Sequence, residues 1–420
     1  MAKLSSTLKE RGYVYQFSSD KLQEITDPPA GGKRTVYLGI DPSADSLQVG
    51  QLQAFLVLRR FLEDGHKVIL VIGGGTGMIG DPGGRSTERN LLDAETVRAN
   101  GEAIAAQATN LFAGADFTLV NNAEWLERLG AIEFLRDVGK HFTVNAMLQR
   151  DFIKERIKNP DEGISYTEFS YALLQAYDYL HLHEKYACDV QVGGSDQWGN
   201  IVSGVDFIRR KTGEVVYAFT WPLLVNKATG KKFGKSESGT VWLDPAKTTP
   251  YQFYQFWFNT EDENLEEYLL KMTLLSKMEI AAALELHRRD PKERHAQQIL
   301  ALEVTSLVHG AEQAASSEKV SQVLFGVGGI AGLSQEESAM LREAAPSCGV
   351  ETGTSIADAL VAAKLAGSKR EARQFVEDKA VSLNGEVVTD EKRALAAEDF
   401  HNSLALLKRG KKNVSVLVLS

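Results

Sequence analysis

The chain has 420 residues, 43% hydrophobic and 25% charged, with a formal net charge of −9. That size and composition carry two or three domains with cores of their own and exclude a disordered chain. Two cysteines exclude a disulfide framework or a cysteine zinc site, and the acidic total excludes a uniformly basic nucleic-acid binder. No apolar run approaches the roughly 18 residues of a membrane helix. Met1–Ser6 lacks the apolar core of a secretory signal, so a cytoplasmic protein with no membrane partner is expected. Charge is uneven along the chain. Residues 351–420 carry 11 Lys/Arg against 10 Asp/Glu, whereas residues 1–350 carry 36 against 46. A near-neutral tail with basic clusters behind an acidic body points to a separate module with an anionic partner, or to an ordinary fluctuation.

In chain order, Val36–Ile40 predicts a short buried strand, and residues 47–64 follow the helical period until Gly65 stops them. Lys67–Gly73 is an unusually apolar strand, as parallel-sheet strands are. A Gly-rich turn follows, then a helix near 94–112, a strand near 117–121 and several helices from about 124 to 186. Cys188–Val192 predicts another strand, leading into a helix over 195–211. Strands alternating with helices predict an α/β fold, a doubly wound, Rossmann-like parallel sheet. Ligands sit at the carboxyl ends of such strands, where the topology switches. From about 246 to 350 the pattern is all-helical, and Tyr251–Phe258 reads as aromatic helix packing. Pro346–Ser355 reads as a linker. Two short helices, Ser355–Val361 and Ser368–Val376, then precede a small β unit with an Asn384–Gly385 turn. The expected division is 1–226, 227–350 and 351–420.

Five segments carry chemistry. Asp41–Gln51 runs from a strand end through a Pro turn into a helix N-terminus. Gly230–Ser236 superficially suggests a P-loop, but three residues separate its glycines instead of four, and no helix follows. It reads as a mobile cationic loop whose Lys232 and Lys235 can close over a polyphosphate, or as a solvated Lys-rich turn. Gly73–Pro82 follows a strand, and its glycines let a ligand approach the backbone; Asp81 is either structural or a partner for an ammonium group. Val192–Asn200 ends a strand in Gly-Gly. There Ser195 or Asp196 caps the next helix, or Asp196 accepts from ribose hydroxyls while Gln197 faces a small substrate. Tyr171, Gln175 and Asp178 fall at i, i+4 and i+7 and share one face. That face is either solvated or a pocket for an amine and a hydroxyl.

Taken together, Gly39–Leu47, Thr76–Pro82, Glu168–Tyr171, Gly193–Asn200 and Lys232–Ser236 resemble bacterial tyrosyl-tRNA synthetases, class I aminoacyl-tRNA synthetases, over nearly the whole chain. The resemblance implies a Rossmann-like catalytic domain, an α-helical domain and a small α+β RNA-binding domain. It implies L-tyrosine, ATP with Mg2+, tRNA(Tyr) and a homodimer, with no protein-bound structural metal. It implies that Tyr37 and Asp178 bind the tyrosine hydroxyl, that Asp81, Tyr171 and Gln175 bind its ammonium group, and that Gln197 lies near its carboxylate. Gly39, Asp41, Gly50, Gly194 and Asp196 would line the adenylate, with Asn122 supporting Tyr171 from behind. Lys232, Lys235 and Ser236 would form the mobile signature loop, with Arg85 a further mobile cation. The tail resembles an RNA-binding fold first seen in a ribosomal protein, with Lys369, Arg370, Arg373, Lys411 and Lys412 meeting phosphates.

One departure stands out. Such enzymes usually carry His-x-Gly-His where this chain has Gln48-Val49-Gly50-Gln51, and Ser43 stands where many have Thr. A glutamine amide donates a hydrogen bond but carries no charge. Gln48 is expected on the leaving phosphates and Gln51 on the ribose or its surroundings. The departure keeps open an alternative, a catalytically weakened or non-catalytic paralogue that binds RNA or an amino acid. A tryptophanyl enzyme is disfavoured by Tyr37 with Asp178, which suits a phenol.

Overall fold

The computed structural model describes residues 3–83, 91–112, 114–158, 163–227, 233–236, 239–326, 329–390, 392–410 and 412–420. The chain divides into two compact units, Met1–Lys247 with Glu261–Glu285, and Thr248–Thr260 with Leu286–Ser420.

The first unit is built on a six-stranded sheet of β1 (Gln16–Phe17), β2 (Thr35–Ile40), β3 (Lys67–Ile72), β4 (Thr118–Asn121), β5 (Val190–Gly194) and β6 (Tyr217–Trp221). Its order is β1-β6-β5-β2-β3-β4. Five strands run parallel and only the edge strand β1 is antiparallel. β3 shows why its sequence is a run of Val, Ile and Leu: every residue after Lys67 is buried, because helices cover both faces of a parallel sheet. The crossovers include α1 (Leu52–Glu63), α2 (Ala94–Leu111), α3 (Tyr166–Tyr186) and α4 (Trp198–Thr212). Asp93 and Ser165 cap α2 and α3 by accepting from Thr96 N–H and Glu168 N–H. Gly65, at φ +87°, ends the α1 segment in the left-handed conformation that glycine takes without cost.

The helix expected over 47–64 begins later. Gln48 is held in a β-bridge to Trp242, and a short 3₁₀ turn, Val49–Gln51, precedes α1. β7 (Lys235–Ser236) and β8 (Gly239–Thr240) pair antiparallel just upstream of that bridge.

The second unit contains α5 (Pro250–Phe258), α6 (His295–His309), α7 (Ala311–Phe325), α8 (Gln335–Ala344), α9 (Ile356–Ala362) and α10 (Lys369–Glu377). Its five-stranded sheet comprises β9 (Ser347–Val350), β10 (Val381–Leu383), β11 (Glu386–Val387), β12 (Leu404–Arg409) and β13 (Asn413–Leu419). The linker expected over 346–355 is corrected here: its first half is β9, an edge strand parallel to β13. Asn384 (φ 49°) and Gly385 (φ 91°) form the expected hairpin turn between β10 and β11.

β12 is covered on both faces. Leu404 and Leu406 join a core with Val320, Val323 and Leu324 of α7, while Ala405 and Leu407 join the core of α9 and α10. Lys408 Nζ, buried on the α7 side, donates to Val323 O (2.8 Å) and Gly326 O (3.2 Å), placing a cation on the exposed carbonyls of a helix C-terminus.

Candidate active site

The sheet order changes direction between β2 and β5, so the crevice beyond their carboxyl ends is the expected binding position. Gly39 marks its opening. It is exposed within an otherwise buried central strand, and a methyl group built on it would meet nothing within 4 Å. Beside it, Asp41 Oδ1 accepts from Thr76 Oγ1 (2.7 Å) and Oδ2 accepts from Tyr171 OH (2.7 Å). The glycines after β3 make this approach possible. A methyl on Gly73 would lie 2.2 Å from Asp41 Oδ1 and 2.5 Å from Thr76 Oγ1, and one on Gly74 would lie 2.2 Å from Asn121 Oδ1. Gly73 to Gly75 have ordinary negative φ, so close approach and not backbone freedom requires glycine there.

The far wall is built around Asp178 of α3, which is 5% exposed. Trp125 Nε1 donates to its Oδ1 (2.7 Å) and Asn122 Nδ2 to its Oδ2 (2.9 Å). Burial pushes its carboxyl up to about 7, against the two hydrogen bonds, which favour the charged form. Tyr37, on β2, is 1% exposed and packs its ring 5.2 Å from that of Tyr179. Its hydroxyl has no protein hydrogen-bond partner among the described residues. Burial, with the nearby Asp178 charge added, holds that phenol well above its ordinary range. Burial and Asp41 do the same to Tyr171. The expectation for Asn122 is corrected: it supports Asp178 and Thr76, not Tyr171. Its Nδ2 also donates to Thr76 Oγ1 (2.9 Å), and its Oδ1 accepts from Gly75 N–H (2.8 Å).

A second polar cluster lies at the end of β5. Gln197 Nε2 donates to Asp81 Oδ2 (2.6 Å), and Gln197 Oε1 lies 3.4 Å from both Gln175 Nε2 and Asn200 Nδ2. The structure therefore joins Asp81, Gln175 and Gln197, and it bonds Tyr171 to Asp41, with the Tyr171 phenol also within the field of Asp81. The Asp196 carboxylate folds over Gly194, where a methyl would sit 2.6 Å from Asp196 Oδ1. Neither Ser195 nor Asp196 takes the capping position read from sequence; the N-cap of the 3₁₀ turn Ser195–Gln197 is Gly194.

The two distant segments 47–51 and 233–243 are joined. Val49 N–H donates to Val241 O (2.9 Å), Leu243 N–H to Leu47 O (2.9 Å), and Val241 N–H to Gly234 O (3.2 Å). Gly50 is exposed, and a methyl there would lie 3.6 Å from Phe233 O. Gln48 is exposed, and its backbone N–H donates to Gln51 Oε1 (2.8 Å). Lys232, Arg85 and Lys411 lie outside the described residues, as do the side chains of Lys235 and Ser236. In the second unit, Lys369, Arg370 and Arg373 are exposed along α10, with Lys369 paired to Asp358 (2.5 Å), and Lys412 is exposed beside β13.

The family described as tRNA synthetases class I (W and Y) matches residues 30–326, and a tyrosine–tRNA ligase SYY-like C-terminal domain matches residues 337–417. A tyrosine–tRNA ligase of Roseiflexus castenholzii is 45% identical, covering 100% of both chains. The chain belongs to the tyrosine–tRNA ligase family. A second ligase of this family, tyrosine–tRNA ligase 1 of Vibrio parahaemolyticus, is 43% identical over 98% of this chain and 97% of its own. Among solved structures, a C-terminally truncated mitochondrial tyrosyl-tRNA synthetase of Aspergillus nidulans superposes with a TM-score of 0.69. It is 31% identical and covers 77% of this chain and 95% of its own.

For a tyrosine–tRNA ligase, sequence reasoning missed several wall residues. Thr76 and Trp125 hold Asp41 and Asp178, yet neither stands out in a Gly-rich turn or a short helix. Gln191, 2% exposed on β5, is the register partner of Tyr37, and its Oε1 has no protein hydrogen-bond partner among the described residues. Arg150 donates to Asn200 Oδ1 (3.4 Å) and Ser203 Oγ (2.6 Å), and burial lowers its guanidinium to about 10. The signal that could have found Gln191 is a polar side chain inside the otherwise apolar Val190–Val192 run.

Proposed function

We propose that this chain ligates L-tyrosine to tRNA(Tyr) in two steps. ATP-dependent formation of tyrosyl adenylate releases pyrophosphate, and the tyrosyl group then passes to the 3′-terminal adenosine of the tRNA. The observation that carries this reading is the buried pair at the sheet's switch crevice: a carboxylate, Asp178, beside a buried phenol, Tyr37, with no protein partner among the described residues. A buried hydroxyl that no described protein group satisfies suits a ligand hydroxyl, because burying it unpaired is costly. The tyrosine phenol donates to Asp178 and accepts from Tyr37. Phenylalanine would leave the Tyr37 hydroxyl without that partner and bring Asp178 no donor beyond Trp125 and Asn122.

The remaining roles follow from chemistry. Asp81, Tyr171 and Gln175 receive the ammonium group, and Gln197 lies towards the carboxylate. Gly39, Asp41, Gly50, Gly194 and Asp196 receive the adenosine and α-phosphate. The carboxylate attacks the α-phosphate in line, displacing pyrophosphate. The chain supplies no covalent intermediate; it orients the reactants and stabilises the charge of the leaving group. Gln48 donates to the leaving phosphates, and Lys232, Lys235 and Ser236 close over them. A cationic loop that engages fully only as pyrophosphate departs accelerates the step more than one that binds ATP equally well beforehand. ATP would arrive as its Mg2+ complex, and the ion would offset part of the phosphate charge. Lys369, Arg370, Arg373, Lys411 and Lys412 meet tRNA phosphates. The reading extends to a homodimer working in the cytoplasm, with the chain organised as 1–226, 227–350 and 351–420.

ATP–pyrophosphate exchange tests it. Exchange that requires tyrosine supports activation of that amino acid; tyrosine binding without exchange supports the non-catalytic paralogue.

A further inference from the structure

We propose that Gln51 is a positioning residue. Its side-chain carbonyl fixes the Gln48–Gly50 turn and, through that turn, the base of the lysine loop. The inference rests on the reading of this crevice as a tyrosine-activating site, and it replaces the contact with the ribose or its surroundings expected for Gln51 from sequence.

Gln51 Oε1 accepts from Gln48 N–H at 2.8 Å, while Gln51 N–H donates back to Gln48 O at 2.9 Å. The first bond is the side-chain half of a capping box, the job that Glu or Gln performs three residues into a helical turn. Without it, Gln48 N–H would be one of the orphan donors at a helix start. The turn is also clamped from outside. Val49 N–H donates to Val241 O and Leu243 N–H to Leu47 O, both at 2.9 Å, so Gln48 pairs with Trp242 as an antiparallel bridge. Beyond the bridge, Val241 N–H donates to Gly234 O, and Gly234 is held at φ +98°. A methyl on Gly234 would lie 3.4 Å from Val49 Cγ1 and 3.5 Å from Gly50 N. The turn that presents Gln48 and the segment from which the lysine loop springs are therefore one hydrogen-bonded piece.

An amide oxygen at 51 accepts this bond throughout the working pH range, because it does not titrate. Glutamine at 51 thus keeps the turn closed at every pH at which the reaction runs, and Gln48 is left as the side chain of the pair that faces the phosphates.

The test compares the full-length wild type with Gln51→Met, which keeps length but loses the acceptor, and Gln51→Glu, which keeps the acceptor. Backbone amide exchange over 47–51 and 239–243, without nucleotide, reads the clamp directly. Tyrosine-dependent pyrophosphate exchange reads kcat and the KM for each substrate. Loss of one hydrogen bond of ordinary strength predicts about fivefold faster amide exchange in both stretches for Gln51→Met. It also predicts a similar fall in kcat with the KM for tyrosine unchanged. Gln51→Glu keeps wild-type protection. Wild-type protection in Gln51→Met, or lost protection in Gln51→Glu, overturns the proposal. Amide exchange needs no activity, so a wild type without pyrophosphate exchange would sink the functional reading while leaving the clamp measurable.

Discussion

Trp125 Nε1–H donates to Asp178 Oδ1 at 2.7 Å, on the opposite oxygen from the one held by Asn122. Two donors, and no cation among the described residues, hold a buried carboxyl that burial pushes up to about 7. Because its value is raised, the unliganded pocket favours the protonated form below about 7 and the carboxylate above it. A phenol hydroxyl binds the carboxylate more strongly. Tyrosine affinity should therefore rise with pH, by up to about tenfold between pH 6 and pH 8. Isothermal titration across that range checks this, with Asp178→Asn giving a weak and flat profile. A flat wild-type profile would remove Asp178 from the role.

Tyr37→Phe separates substrate recognition from stability. The Tyr37 hydroxyl is buried with no protein partner among the described residues, so removing it should change the stability of the unliganded protein by no more than about 1 kcal/mol. The same change should lower the kcat/KM ratio of tyrosine over phenylalanine by roughly tenfold or more. Thermal unfolding and pyrophosphate exchange with each amino acid check the two halves.

Gly73→Ala tests the packing beneath the crevice. The added methyl would collide with both Asp41 Oδ1 and Thr76 Oγ1, and Asp41 also receives Tyr171. Overpacking of this kind costs about 1–3 kcal/mol. A lower denaturation midpoint together with a raised KM for tyrosine is expected. Gly39→Ala, which meets open space, should leave the midpoint unchanged and act on ATP alone.

Much of this architecture was legible because it is periodic. The Val-Ile-Leu run of β3, the shared face of Tyr171, Gln175 and Asp178, and the Asn384–Gly385 turn all follow local rules. What stayed hidden was long-range. Asn122 finds Asp178 across 56 residues, and Thr76 finds Asp41 across 35. β9 escaped because Ser-Cys-Gly-Val alternates over only four residues beside a proline, too short to read as a strand, and gains its identity by pairing with β13. Gln51 reads as a failed histidine in sequence and as half of a capping box in space.

RNA binding should be separable from activation. Cutting the chain after 350 would strip β13 from β9 and uncover the Val320–Leu324 face of α7, so truncation confounds folding with function. Arg370→Glu with Arg373→Glu leaves the buried core intact. Each lost phosphate contact should weaken tRNA binding and flatten its salt dependence by about one unit of slope. Aminoacylation kcat/KM for tRNA should fall while pyrophosphate exchange stays at wild-type level.

The most direct measurement is ATP–pyrophosphate exchange by the wild-type chain with and without L-tyrosine. The account predicts exchange that appears only with tyrosine, is not supported by phenylalanine at equal concentration, and disappears in Asp178→Ala. Tyrosine binding without exchange, or exchange driven equally by phenylalanine, would contradict it.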